Sequence, residues 1–281
     1  MYDVFMKKTY SYNSYIKSPY VSHKHTTYFD SYDHFFHRYR GKEITFVEIG
    51  ILDGGSLFMW RDFFGNKARI IGVDLNPEAK KWEKEGFEIF IGSQSDEKFW
   101  QDFINEVGEI DVVLDDGGHT YSQQIITTES LLPSIKDGGI LVIEDTHTSY
   151  MRGYGDLNFS FIEYVKELID KINMRFGGFY KEKSEHRFWS VEVVESIVAF
   201  KINKKATKLV SKPTYNIGSS FVAKDFRLDD KNALMSVEQI FNKKKPNLNI
   251  SLQQLESIIL KVKNEHPDIA NKIKNLLDWS K

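Results

Sequence analysis

The chain has 281 residues with 38 lysines and arginines against 40 aspartates and glutamates, a net charge near −2, and no cysteine. That length allows one large domain with a buried core plus appendages, and the charge balance argues against nucleic acid or an anionic membrane as partner. Disulfides, thiolate metal sites and cysteine nucleophiles are excluded, and with no leader-like start and no apolar run of roughly 20 residues the cytosol is the expected location.

Residues 1–40 are rich in Tyr, Phe and His. Tyr28, Phe29, Tyr32, Phe35 and Phe36 predict a helical aromatic arm that packs on the core, with capping of the sheet or covering of a bound cofactor as the alternatives. His23, His25, His34 and His37 show no ligand spacing and read as packing or surface residues. From residue 41, short apolar runs alternate with longer amphipathic stretches. Strands are expected at 44–50, 68–74, 87–92, 110–115, 139–144 and 195–200, and helices at 56–64, 77–85, 96–107, 121–135 and 159–175. This alternation predicts an α/β domain over 41–203, a Rossmann-like doubly wound and mostly parallel sheet. From Lys204 the chain is polar and Lys-rich. It then carries Leu252, Leu255, Ile258, Ile259 and Val262 at helical spacing, with a second helix expected from Pro267 to Trp279. This C-terminal extension, 204–281, would dock on the parent domain or on a second subunit, and a homo-oligomer is expected.

The first strand runs into the loop from Glu48 to Ser56, where Gly50 and Gly54 let the backbone turn and approach a ligand. The dinucleotide pattern G-x-G-x-x-G is missing, and an acidic Glu48 suits a cationic ligand better than a pyrophosphate. S-adenosylmethionine, with an ammonium, a sulfonium and no phosphate, fits. Asp74 ends the second strand, where a carboxylate accepts ribose hydroxyls. Asp96 follows the third, where adenine would be placed.

Asp115, Asp116 and His119 end the fourth strand, and Glu144 and Asp145 the fifth. Like charges at adjacent strand ends repel unless a cation sits among them, so the pairing points to a metal-assisted reaction. Oxygen ligands suit a hard octahedral ion with positions open for substrate hydroxyls. His147, two residues past the second pair, could touch substrate or stabilise its loop. The stretch from Thr148 to Gly155, with two glycines and two tyrosines, has the composition of a lid.

Four segments, Glu48 to Ser56, Gly72 to Pro77, Asp115 to His119 and Ile143 to Tyr150, resemble the class I methyltransferases. The specific likeness is to the metal-dependent sugar O-methyltransferases of macrolide biosynthesis, of the mycinamicin and tylosin type, with cephalosporin hydroxylase-like relatives. It covers residues 41–155. The resemblance implies Mg2+, with Mn2+ as a possible substitute, on Asp116, Glu144 and Asp145, with His119 as general base. S-adenosylmethionine would be held by Glu48, Gly50, Gly54, Ser56, Asp74 and Asp96, with Asp115 in support. The acceptor would be a sugar hydroxyl of a glycan precursor or glycosylated small molecule. A hydroxylase-like reaction on the same scaffold, or a non-catalytic partner subunit that binds the cofactor, are the competing expectations.

Overall fold

The computed structural model describes residues 8–156, 158–176 and 184–218. Apart from 215–218, these belong to one compact unit, Met1–Thr214. The helices expected at 252–262 and from Pro267 to Trp279 lie outside the described residues.

Five strands run parallel: β1 (Thr45–Ile49), β2 (Arg69–Asp74), β3 (Glu88–Ile91), β4 (Ile110–Asp115) and β5 (Ile135–Ile143). Two more, β6 (Ser190–Val194) and β7 (Ile197–Lys201), close one edge, with β7 antiparallel to both β5 and β6. The order is β3-β2-β1-β4-β5-β7-β6. Flanking the sheet are α1 (Tyr10–Tyr15), α2 (Tyr28–Phe36), α3 (Gly55–Phe64), α4 (Glu97–Val107), α5 (Tyr121–Leu131) and α6 (Phe161–Asn173). The doubly wound, mostly parallel sheet is the architecture expected.

Side chains alternate between the two faces of a strand, so a central strand without polar positions must be covered on both. Phe46, Ile70, Val112, Leu114 and Val142 share one core with α2 and α3. Val47, Ile71, Val113, Leu141 and Ile143 share the other with Trp100, Phe103, Leu131, Phe161 and Leu168. Helices on both faces follow from that pattern. The strand order reverses between β1 and β4, and at such a switch point the loops after the two strands part and leave a crevice at the carboxyl ends.

The aromatic arm forms part of the first core. Tyr32 and Phe36 are fully buried, and both stand edge-on to Trp60 of α3, with ring centroids 5.1 and 5.6 Å away. Backbone N–H groups of Tyr10 and Ser11 donate to the Asp33 carboxylate at 2.7 and 2.9 Å, which satisfies the start of α1 from α2. Between these helices, residues 16–27 form a strap over the carboxyl end of the sheet. Ser18 Oγ donates to the Gly55 carbonyl at 2.8 Å, and a Cβ on Gly55 would run into the Tyr20 and Val21 carbonyls.

Three expected elements differ in extent. The helix expected over 121–135 stops at Leu131 and tightens into a 3-10 turn over Leu132–Ser134, because Pro133 has no N–H to donate. The fifth strand starts at Ile135 rather than 139. Lys136 to Gly139 has turn composition and forms an irregularity in the β4 register between the pairs Ile110–Ile135 and Val112–Ile140, with Lys136 Nζ 2.7 Å from Asp111. The strand expected at 195–200 is a hairpin, turned at Ser196 with φ +61°. Among the described residues no helix is long and apolar enough to cross a membrane.

Candidate functional site

Two loops meet over the crevice. After β1 the backbone turns at Gly50 with φ +81°, and a Cβ there would overlap the Asp116 carbonyl, so this position admits only glycine. Gly50 N–H donates to the Val73 carbonyl at 2.8 Å and Asp116 N–H to Ile49 at 2.9 Å, which locks both loops to the sheet. A cavity of about 790 Å3 opens beside them. Gly50, Ser56, Asp74, Asp116, His119, Glu144 and Asp145 line it, together with Gly92 to Gln94 and strap residues 21–25.

Asp74 sits at the end of β2 with each carboxylate oxygen oriented by the backbone. Its Oδ2 accepts from Ile51 and Leu52 N–H at 2.9 and 3.2 Å, and its Oδ1 from Asn76 at 2.8 Å. Four residues expected at the cofactor do not line the cavity. Glu48 is fully buried, accepting from Ser56 Oγ at 2.7 Å and Trp60 Nε1 at 3.0 Å, so its carboxylate is turned into the protein. Burial pushes its pKa up, against the opposing pull of Lys24 and these two donors. Gly54 packs against the Trp82 indole instead of facing a ligand. Asp96 caps α4, accepting from Lys98 N–H at 2.9 Å. Asp115 lies beneath the cavity floor, held by Gln94 Nε2 at 2.6 and 2.7 Å, and burial raises its pKa to about 7 against the hydrogen bonds from Gly117 and Gln94.

Gln94 is a site residue with no motif of its own. Its Oε1 also accepts from Gly118 N–H at 3.0 Å, so one side chain at the end of β3 braces the Asp115–Gly118 turn. The only available signal was position: Gly92-Ser93-Gln94 follows an apolar strand.

Asp116, His119 and Asp145 converge, each offering one ligand atom within 4.8 Å of the others. His119 Nε2 lies 3.3 Å from Asp145 Oδ2 and 3.9 Å from Asp116 Oδ1, while His119 Nδ1 is buried without a hydrogen-bond partner. Both His119 and Asp145 hold left-handed backbone, with φ +57° and +55°. Residues other than glycine adopt this region at a cost, and here the surroundings impose it. Thr148 Oγ1 donates to the His119 carbonyl at 2.9 Å, and Thr120 starts α5 with a reciprocal cap to Gln123. Tyr28 donates its hydroxyl to Asp145 Oδ1, which leaves Oδ2 facing His119. Burial, followed by this carboxylate, raises the Tyr28 pKa.

Glu144 departs from the expected trio. It is 1 % exposed and lies outside the convergent group, with Oε2 directed to the Lys24 ammonium at 3.4 Å and Oε1 buried. Lys24, on the strap, also approaches Asp116 Oδ2 at 2.6 Å and Glu48 Oε1 at 3.7 Å. Burial pulls the ammonium's pKa down, but Asp116, Glu144 and Glu48 together outweigh it and raise it.

His23 and His25 are exposed, as expected of surface residues, and stand at the cavity, and His147 Nδ1 bonds Ser196 Oγ. No residue of the expected lid lines the cavity; Thr148 to Gly155 is tied to α5, where Tyr121 OH donates to the Met151 carbonyl at 2.9 Å. The strap occupies the covering position instead.

Residues 47–146 match the family model described as a methyltransferase domain. Among curated relatives, 131 residues are 37% identical to the 8-demethyl-8-(2-methoxy-alpha-L-rhamnosyl)-tetracenomycin-C 3'-O-methyltransferase of Streptomyces olivaceus, covering 44% of this chain and 33% of that protein. The Mycinamicin VI 2''-O-methyltransferase of Micromonospora griseorubida is 31% identical over 154 residues, 50% of this chain and 38% of the relative. The chain thus spans well under half the length of these relatives. Among solved structures, the MycE methyltransferase of the mycinamycin pathway, in complex with Mg and SAH, matches with TM-score 0.60 at 26% identity, over 69% of this chain and 52% of that one.

Proposed function

We propose that the chain is an S-adenosylmethionine-dependent O-methyltransferase, assisted by a divalent ion and acting on a sugar hydroxyl of a glycosylated metabolite or glycan precursor, a reading supported by the match of residues 47–146 to a methyltransferase domain and by the class I fold. The convergence of Asp116, His119 and Asp145 within one cavity that also holds Asp74 carries this reading. The relatives named for O-methylation of a rhamnosyl tetracenomycin and of mycinamicin VI support the acceptor class.

The residues fit both groups. Glu48, Asp116 and Glu144 gather around the buried Lys24 ammonium, and Asp145 stands beside them across His119, a charge deficit that a divalent cation would offset. Asp116 Oδ1 and Asp145 Oδ2 are the hard oxygen donors that Mg2+ takes through one or two carboxylates. For the cofactor, the cavity volume suits a ligand of this size, the Gly50 turn permits close backbone approach, and Asp74 keeps lone pairs for ribose hydroxyls. Leu75, Asn76 and Ser93 line the same cavity and offer the adenine contacts expected of Asp96.

Bound Mg2+ would lower the barrier to deprotonating the acceptor hydroxyl, and S-adenosylmethionine would supply the methyl group. His119 Nε2 accepts the hydroxyl proton, and the neighbouring Asp145 carboxylate stabilises the imidazolium that results. Tyr28 holds that carboxylate in place, Gln94 and Asp115 hold the turn that carries Asp116, and the strap restricts water.

Incubation with S-adenosylmethionine and a panel of rhamnosides and hexosides should give a product heavier by one methylene, lost with a chelator and restored by Mg2+. A gain of one oxygen would favour the hydroxylase reaction. Intact cofactor binding with no product across the panel would favour a partner subunit.

A further inference from the structure

Ser196 turns the β6–β7 hairpin with left-handed backbone, φ +61°, a conformation that a residue other than glycine holds at a cost. The tip reaches the loop that carries Asp145: Thr146 N–H donates to the Ser196 carbonyl at 3.0 Å, and His147 Nδ1 lies 2.5 Å from Ser196 Oγ. The same Oγ is 2.9 Å from the Tyr28 hydroxyl, which also meets Asp145 Oδ1. Counting hydrogens fixes the direction of these bonds. A carboxylate only accepts, so Tyr28 spends its single hydrogen on Asp145, and burial together with that carboxylate keeps the phenol protonated. Ser196 must then give its own hydrogen to the Tyr28 oxygen, which leaves Oγ as acceptor and His147 Nδ1–H as donor. Among the described residues His147 Nε2 has no hydrogen-bond partner, and its ring stands 6.0 Å from that of His25 at the cavity.

We propose that Ser196 is a positioning residue of the site: it orders a one-way hydrogen-bond chain, His147 to Ser196 to Tyr28 to Asp145, that aims the Asp145 carboxylate at the divalent ion and holds His147 in its Nδ1–H form. The inference rests on the divalent-ion reading above. With Oδ1 held by Tyr28, Asp145 keeps Oδ2 for the ion and for His119, 3.3 Å away. Hydrogen bonds behind a ligand fix its orientation and raise its affinity for the metal. The chain also leaves the His147 lone pair on Nε2, where a hydroxyl donor would find it. Three separate stretches of sequence, the aromatic arm, the loop after β5 and the edge hairpin, thereby converge on one carboxylate.

Two readouts on the full chain test this without turnover. Long-range proton–nitrogen spectra of protein carrying isotope-labelled histidine, taken where the imidazoles are neutral, report which ring nitrogen holds the proton. His147, assigned by the signal lost in His147→Gln, should be Nδ1–H in native protein and shift toward Nε2–H in both Ser196→Ala and Ser196→Gly. Ser196→Gly removes the hydroxyl yet suits the left-handed backbone, so it isolates the hydroxyl's part and decides alone should Ser196→Ala not fold. Mn2+ affinity, read from the electron paramagnetic resonance of free Mn2+, should fall roughly tenfold in Tyr28→Phe and about threefold in Ser196→Gly. In the Tyr28→Phe background Ser196→Gly should cost nothing further, because the chain is already cut. A native His147 protonated on Nε2, an unchanged His147 signal in Ser196→Gly, or additive losses in the cycle overturns the proposal and leaves the divalent-ion reading standing. Absence of Mn2+ binding in native protein overturns both.

Discussion

Gly50 shows how little freedom single positions have at this site. With φ +81° and the Asp116 carbonyl where a Cβ would stand, Gly50→Ala must push the two loops apart. We expect a loss of about 2–3 kcal/mol in stability, read by denaturant unfolding, because strain and overlap add. His119→Gln removes the proton acceptor while keeping bulk and polarity. It should lower turnover by roughly 10²–10⁴ and leave S-adenosylmethionine affinity nearly unchanged in titration calorimetry. Asp116, His119 and Asp145 were legible because each sits in a short run at a strand end, where chain order brings them together. Lys24 was not, being 92 residues from Asp116, and its His23-Lys24-His25 context gave no sign of which acids it would meet. Glu48 misled for the complementary reason: its charge was visible, but the Ser56, Trp60 and Lys24 groups that absorb it were not.

Elements are joined by a second ionic group away from the cavity. Arg187 bonds Glu129 of α5 at 2.5 and 3.0 Å and Glu185 at 2.7 Å, while Tyr164 of α6 donates to Glu129. Burial opposes ionisation of both glutamates, but Arg187 outweighs it and holds each below the usual 4.5. Depressed folded-state values mean stability that is present above that range and lost as pH falls through the folded pKa. The acid limb of native unfolding should therefore begin below about pH 4.5 and flatten in Arg187→Met, which should also cost about 1–2 kcal/mol at neutral pH, mostly through the buried Glu185, since solvent screens the half-exposed Glu129. The parallel strands were readable because burial on both faces makes them continuous apolar runs. The first half of β5 and all of β6 were not: Lys136 to Gly139 has turn composition and falls in the register irregularity after Ile135, and β6 carries partly exposed polar residues at a sheet edge, so the cause of its pairing lies in β7.

At the scale of the whole molecule, the aromatic arm, the sheet and the strand-end loops act together. Arm residues fill the core on one face, and the strap between α1 and α2 covers the crevice where strand order reverses. Cofactor and ion should each stabilise the fold by mass action, so S-adenosylhomocysteine with Mg2+ should raise the melting temperature more than either alone. Asp74→Ala should abolish the cofactor's share and spare the ion's. The most direct test of the account is the position of a bound ion. Anomalous diffraction from crystals grown with Mn2+ and S-adenosylhomocysteine should place a single peak between Asp116 Oδ1 and Asp145 Oδ2, beside His119. A peak elsewhere, or none with the cofactor bound, would contradict it.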